Sequence, residues 1–114
     1  MTQTANLRRS IVDLLDLLSS PQKQLEYESR VPHDISVELR SMWFDDFYIP
    51  DNESFKRSFS QKELAAMADF NKYYSDHEKL LPEARDEITS WLNNEVWQGI
   101  MQKAKETLGV FREY

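Results

Sequence analysis

The sequence predicts an all-α fold: a single helical domain over residues 1–114, built as a bundle of five or six helices with short connections. Three observations predict it. Apolar residues recur at three- and four-residue spacing along most of the chain. Gly99 and Gly109 are the two glycines, and the hairpin dipeptides Asn-Gly and Asp-Gly do not occur, so a sheet has no turn chemistry to build on. Residues that start and stop helices fall between the periodic stretches. With 40% apolar and 12% aromatic residues among 114, the chain can bury roughly two thirds of its unfolded surface, enough for one core.

The first helix is expected from about Asn6 to Leu18, where Leu7, Ile11, Leu14, Leu15 and Leu18 form an apolar stripe. Ser19-Ser20-Pro21 ends it. Ser20 is placed to cap the second helix, and Pro21 suits a first helical turn, where its missing N–H costs nothing. That helix runs to about Arg30 and is polar apart from Leu25 and Tyr27; Val31-Pro32 stops it. A third helix begins near Asp34 or Ser36. At 100° per residue Ile35, Leu39, Met42 and Trp43 share a stripe, and Asp46 falls near its middle. There Asp46 would have to lie past the helix end or pair with a donor such as Arg40 or a backbone amide, because an unpaired buried carboxylate is costly. Ile49-Pro50-Asp51-Asn52 reads as a turn.

Ser60-Gln61-Lys62-Glu63 is a capping box, with Phe59 and Leu64 at the positions of a hydrophobic staple. The helix it opens carries Leu64, Met67, Ala68, Phe70, Tyr73 and Tyr74 and fades before Leu81-Pro82. Pro82 opens a shorter helix bearing Ala84, Ile88, Trp91 and Leu92. Asn93-Asn94 breaks it and caps the last one, whose seam is Val96, Trp97, Ile100, Met101, Ala104, Leu108 and Phe111. The core is expected to draw on Leu15, Leu39, Trp43, Leu64, Met67, Ile88, Trp97, Ile100 and Leu108.

The charge is unevenly placed. Between His33 and Phe55 the acids are Asp34, Glu38, Asp45, Asp46, Asp51 and Glu53, against Arg40 alone. Five of the six net negative charges of the chain therefore sit in this one segment, together with Trp43, Phe44, Phe47 and Tyr48. The acidic balance argues against nucleic acid or an anionic membrane as a partner, since phosphate binding runs on Lys and Arg. The basic pairs Arg8-Arg9 and Lys56-Arg57 are short and read as solvated faces.

No cysteine is present, which removes disulfides, thiolate catalysis and thiolate-bound metals. Neither a signal-type apolar core nor a membrane-length apolar run occurs; the chain reads as soluble, unprocessed and cytoplasmic. His33 and His77 lie in different segments, and no nucleophile elbow or Gly-rich phosphate loop accompanies them. Asp76-His77-Glu78 is contiguous, so its side chains diverge around a helix and do not converge on one ion. Asp45, Asp46, Asp51 and Glu53 offer oxygen ligands but not the spacing or glycine of a calcium loop. No cofactor or metal is expected.

Trp43 and Phe47 are expected inside. Asp45, Asp46, Tyr48, Asp51 and Glu53 are the candidate partner-binding residues, carboxylates to attract a basic protein and a tyrosine to anchor it. The strings Glu38-Leu39-x-x-Met42-Trp43-Phe44-Asp45-Asp46-Phe47-Tyr48-x-Pro50, then Phe55-x-x-x-Phe59-Ser60-x-x-Glu63-Leu64-x-x-Met67-x-x-Phe70-Asn71, then Leu81-Pro82 and Trp97-x-x-Ile100-Met101-x-x-Ala104, resemble those of small bacterial proteins and bring no function with them. In size, acidity and helicity the chain resembles the immunity proteins of bacterial toxin systems. That resemblance implies a non-enzymatic inhibitor that binds a cognate toxin domain, often a basic nuclease, and blocks it with acidic and aromatic side chains. It assigns no individual residue. Two other readings stay open: a metal-dependent or acid–base enzyme using Asp45, Asp46 and His77, and a structural or oligomerising module whose Trp97–Phe111 seam faces another subunit. The oligomeric state is left open.

Overall fold

A computed structural model of the protein describes residues 2–31, 35–81 and 91–111. The described residues form six α-helices and one π-helical turn, with no strand among them. They are α1 (Thr2–Ser19), α2 (Pro21–Arg30), α3 (Ile35–Ser41), the π-helical turn Met42–Phe47, α4 (Glu53–Arg57), α5 (Gln61–Glu78) and α6 (Glu95–Phe111). The all-α bundle expected from the periodicity is the fold observed. The short helix expected from Pro82 lies outside the described residues except for its end at Trp91 and Leu92, which are helical. Ala84, Ile88 and His33 fall outside the described residues as well.

The boundaries follow from capping chemistry. Ser20 is extended and its side chain accepts the Lys23 backbone N–H, with Pro21 in the first turn of α2. Val31 ends α2 in an extended conformation, as expected of a residue before proline. The capping box of α5 is complete: the Glu63 N–H donates to Ser60 Oγ (3.1 Å) and the Ser60 N–H to Glu63 Oε1 (2.9 Å). Asn94 Oδ1 accepts the backbone N–H groups of Val96 (2.8 Å) and Trp97 (3.3 Å) to start α6.

α6 is the centre of the bundle, packed on one side against α1 and on the other against α5. Its seam of Trp97, Ile100, Met101, Ala104, Leu108 and Phe111 is buried within the chain, so it faces inward and not toward a second subunit. α1 contributes Ile11, Leu14, Leu15 and Leu18, and α5 contributes Met67, Phe70 and Tyr74. Of the expected core, Leu15, Leu39, Trp43, Met67, Trp97, Ile100 and Leu108 are buried. Leu64 is only half-buried at the edge of this cluster. α5 and α6 approach so closely that a Cβ on Gly99 would stand 2.6 Å from the Tyr73 hydroxyl.

Two polar nodes hold the bundle where sequence showed only surface. In α2 the buried residue is Gln24, while Leu25 is exposed. Gln24 Nε2 donates to the carbonyls of Leu17 (3.0 Å) and Leu18 (3.1 Å), and its Oε1 accepts the Trp97 indole N–H (3.0 Å). One amide thus closes the end of α1, which would otherwise leave carbonyls unpaired, and tethers it to α6. The second node corrects the reading of Arg8 as part of a solvated face. Arg8 donates two 2.6 Å hydrogen bonds to the Glu63 carboxylate, which is itself 1% exposed. The guanidinium also lies over Phe59 (5.9 Å) and Phe111 (5.5 Å). Hydrogen bonding to Arg8, aided by the Ser60 N–H, holds the Glu63 carboxyl below the usual carboxylate range against the opposing effect of burial.

Candidate functional site

The acidic–aromatic segment begins where α3 widens. From Met42 to Phe47 the backbone takes π-helical spacing, and the Tyr48 N–H donates to the Trp43 carbonyl at 3.1 Å, an i→i+5 bond. Trp43 is fully buried. Its indole N–H donates to Asn71 Oδ1 of α5 (3.1 Å), and its ring packs edge-on against Phe70 (4.8 Å). Tyr48 lies flat on Trp43, with ring centres 4.7 Å apart and planes 7° from parallel. Phe55 then meets Tyr48 edge-on (5.7 Å) and Phe59 continues the row (4.7 Å). This row of rings fixes the backbone that carries the acids.

Asp45, Asp46, Asp51 and Glu53 are all exposed. Asp45 and Asp46 project from the π-helical turn. Asp51 sits in the turn closed by the Asn52 N–H to the Ile49 carbonyl (3.0 Å). Glu53 opens α4, where Asn52 caps the helix by accepting the Phe55 N–H (3.0 Å). Lys56 stands 3.7 Å from Glu53 one turn on. This geometry resolves the position of Asp46. An α-helical rotation would have turned it onto the buried stripe; the wider π turn carries it out to water. Arg40 is engaged elsewhere: its Nε–H donates to both Glu78 oxygens (3.1 and 3.0 Å), and its guanidinium covers Phe44 (5.4 Å).

Tyr48 is half-buried, its ring committed to Trp43 and Phe55. Burial, then the neighbouring Asp51 charge, pushes its phenol above the usual tyrosine range. Phe47, expected inside, is also half-buried. It stands with Met42 across a groove from Leu14 and Leu17 of α1. Sequence reasoning did not single out this groove, because its two walls are some thirty residues apart in the chain and only the fold joins them.

His77 is elsewhere. It is half-buried on α5, stacked on Tyr73 (4.0 Å, 15°), with Nδ1 2.7 Å from the Tyr73 carbonyl. It lines a groove of about 270 Å3 with Asp69, Lys72, Tyr73, Asp76 and Lys103; Asp45 and Asp46 are not among its walls. Among the described residues no three His, Asp or Glu side chains gather as a metal ion would require. No helix among the described residues is long and apolar enough to cross a membrane.

Searches against protein-family models, curated proteins and solved structures found no match to this chain.

Proposed function

We propose that this chain is a non-enzymatic binding protein, an inhibitor of the immunity type whose partner is a basic protein such as a toxin nuclease domain. The observation that supports the reading most is the placement of Asp45, Asp46, Asp51 and Glu53. All four are exposed on one short stretch, anchored underneath by the Trp43–Tyr48–Phe55 ring stack. Fixed carboxylates raise the encounter rate with a cationic surface and select against acidic ones. Their fixed backbone also means that little conformational freedom is lost on binding. Tyr48 contributes by holding that backbone in place, since its ring is engaged within the chain.

The test is affinity capture from the native host with the tagged protein beside its Asp45→Lys/Asp51→Lys variant, at low and moderate salt. A basic partner retained by the wild type, weakened by salt and lost with the variant is the expected outcome. Capture of no basic protein at either salt concentration, or a partner held equally by both proteins, refutes the proposal.

A further inference from the structure

α1 and the π-helical turn leave a groove between them. Ser10, Asp13, Leu14 and Leu17 form one wall and Met42 and Phe47 the other, around about 230 Å3. The walls are mainly apolar: Leu14 belongs to the core, while Leu17, Met42 and Phe47 are half-buried with part of each side chain open to water. Small-molecule sites hold roughly 300–1,000 Å3 and enclose most of their ligand. This groove is smaller and open, a size that suits one large side chain.

Its rim is acidic. Asp13 is exposed at the α1 wall. Exposed Asp46 directly precedes Phe47 on the π-helical turn that supplies the other wall, without itself lining the groove. Farther along α1, Asp16 is paired with Lys23. Arg9, exposed at the neighbouring i,i+4 position one turn earlier, is the nearest cation to Asp13 along α1. An apolar floor with the exposed Asp13 carboxylate on one wall and exposed Asp46 on the element of the other matches a segment that carries an apolar side chain with Lys or Arg beside it. The Tyr48 ring is stacked on Trp43 and meets Phe55 within the chain, which leaves the groove to receive a side chain from the partner. A pocketed apolar anchor ringed by polar contacts is the usual make-up of an energetic centre in an interface.

Resting on the basic-partner reading above, we propose that this groove is the anchor site of that interface. It takes one aromatic or long aliphatic side chain from a Lys/Arg-flanked segment of the partner protein.

The test titrates isotope-labelled protein with two synthetic peptides of equal charge, Lys-Lys-Trp-Leu-Lys-Lys and Lys-Lys-Ala-Ala-Lys-Lys, at low salt, following backbone amide shifts. The Trp peptide is expected to shift Ser10, Asp13, Leu17, Met42 and Phe47 and to bind about ten-fold tighter or more, as burial of one large apolar side chain implies. Ser10→Tyr fills the groove without removing a core side chain and is expected to erase that advantage. Asp13→Lys, an exposed change, is expected to weaken the Trp peptide several-fold without depending on how Ser10→Tyr folds. Asp51→Lys/Glu53→Lys is expected to weaken both peptides alike. Equal affinities for the two peptides, or an advantage that survives both Ser10→Tyr and Asp13→Lys, overturn the groove proposal. If binding is then still lost in Asp51→Lys/Glu53→Lys, the basic-partner reading stands without it. Binding of neither peptide overturns both. The same amides shifting with protein concentration alone would give the groove to a second copy of this chain, and also overturn the proposal.

Discussion

Glu63 and Arg8 make an asymmetric pair, and the asymmetry yields a quantitative prediction. The Glu63 side chain is 2% exposed and that of Arg8 38%. Removing one partner of a fully buried ion pair costs about 3–5 kcal/mol, mostly from the charge left stranded. In Glu63→Gln the stranded charge is Arg8, which reaches water and is screened there. Gln can still accept from the Ser60 N–H and from one guanidinium N–H, but its amide group faces the second as donor to donor. The expected loss is about 2 kcal/mol, or about 8 °C in Tm for a domain of this size. In Arg8→Met the stranded charge is Glu63, which cannot reach water, so the expected loss is larger, about 3 kcal/mol. The double variant should lose at least about 1 kcal/mol less than the sum. Urea unfolding of the four proteins, followed by tryptophan fluorescence, measures all three quantities.

The pH dependence has a fixed sign. The carboxyl of Glu63 is held below its ordinary 4.5 in the folded protein, so the unfolded chain binds that proton first. Its contribution is full above about pH 5 and is lost as the pH falls through the folded-state value. The gap between wild type and Glu63→Gln should therefore close on acidification. A Glu63→Gln protein within about 0.5 kcal/mol of wild type at neutral pH, or losses that simply add, would refute the reasoning.

Two further predictions concern the α6 contacts. Gly99→Ala drives a Cβ to 2.6 Å from the Tyr73 hydroxyl, so Tyr73, which is stacked on His77, must shift. It is expected to destabilise by about 1 kcal/mol although Ala is the better helix former, whereas Gly109→Ala, with nothing within 4 Å, is expected to stabilise by about 0.5–1 kcal/mol. Urea unfolding of both, and of Gly99→Ala in a Tyr73→Phe background where the clash is gone, separates space from propensity; equal effects at the two glycines would sink the argument. Gln24→Leu leaves the Trp97 N–H buried without its acceptor and removes the donor to Leu17 and Leu18, for an expected loss of about 2–3 kcal/mol. Adding Trp97→Phe should cost less than it does in the wild type; additive losses would refute the shared node.

What the sequence made legible was local. Ser20, the Ser60–Glu63 box and Asn94 begin helices in the structure because a cap is a bond across two or three residues, visible in the residue string. The stripe Ile35–Leu39–Trp43 is buried for the same reason, since four-residue spacing needs no knowledge of the rest of the fold. The position of Asp46 stays open in the sequence because a constant 100° rotation assumes α-helical spacing, and the residue string does not announce an i→i+5 turn. α4 has no counterpart in the sequence reading, which passes from the turn Ile49–Asn52 to the Ser60 capping box: five residues with Phe55 as their one buried member carry no period, although Asn52 before Glu53 is a capping signal that marks its start. Gln24 looked like surface because its partner lies 73 positions away. The exposed acids could be picked out from charge alone, whereas the groove beside them needed α1 and the π-helical turn to be brought together.

That 73-residue separation between Gln24 and Trp97 also has a consequence for synthesis. Isolated helices of this length are marginal in water, and α1 finds its main partner in α6. At cellular translation rates the intervening chain takes on the order of ten seconds to appear, while a helix forms and melts within about a microsecond. During that interval the Ile11–Leu18 face has no permanent cover. The nascent chain must then reach the second half of its own sequence before its first half can settle, and a holding chaperone has its opportunity at the leucines of α1.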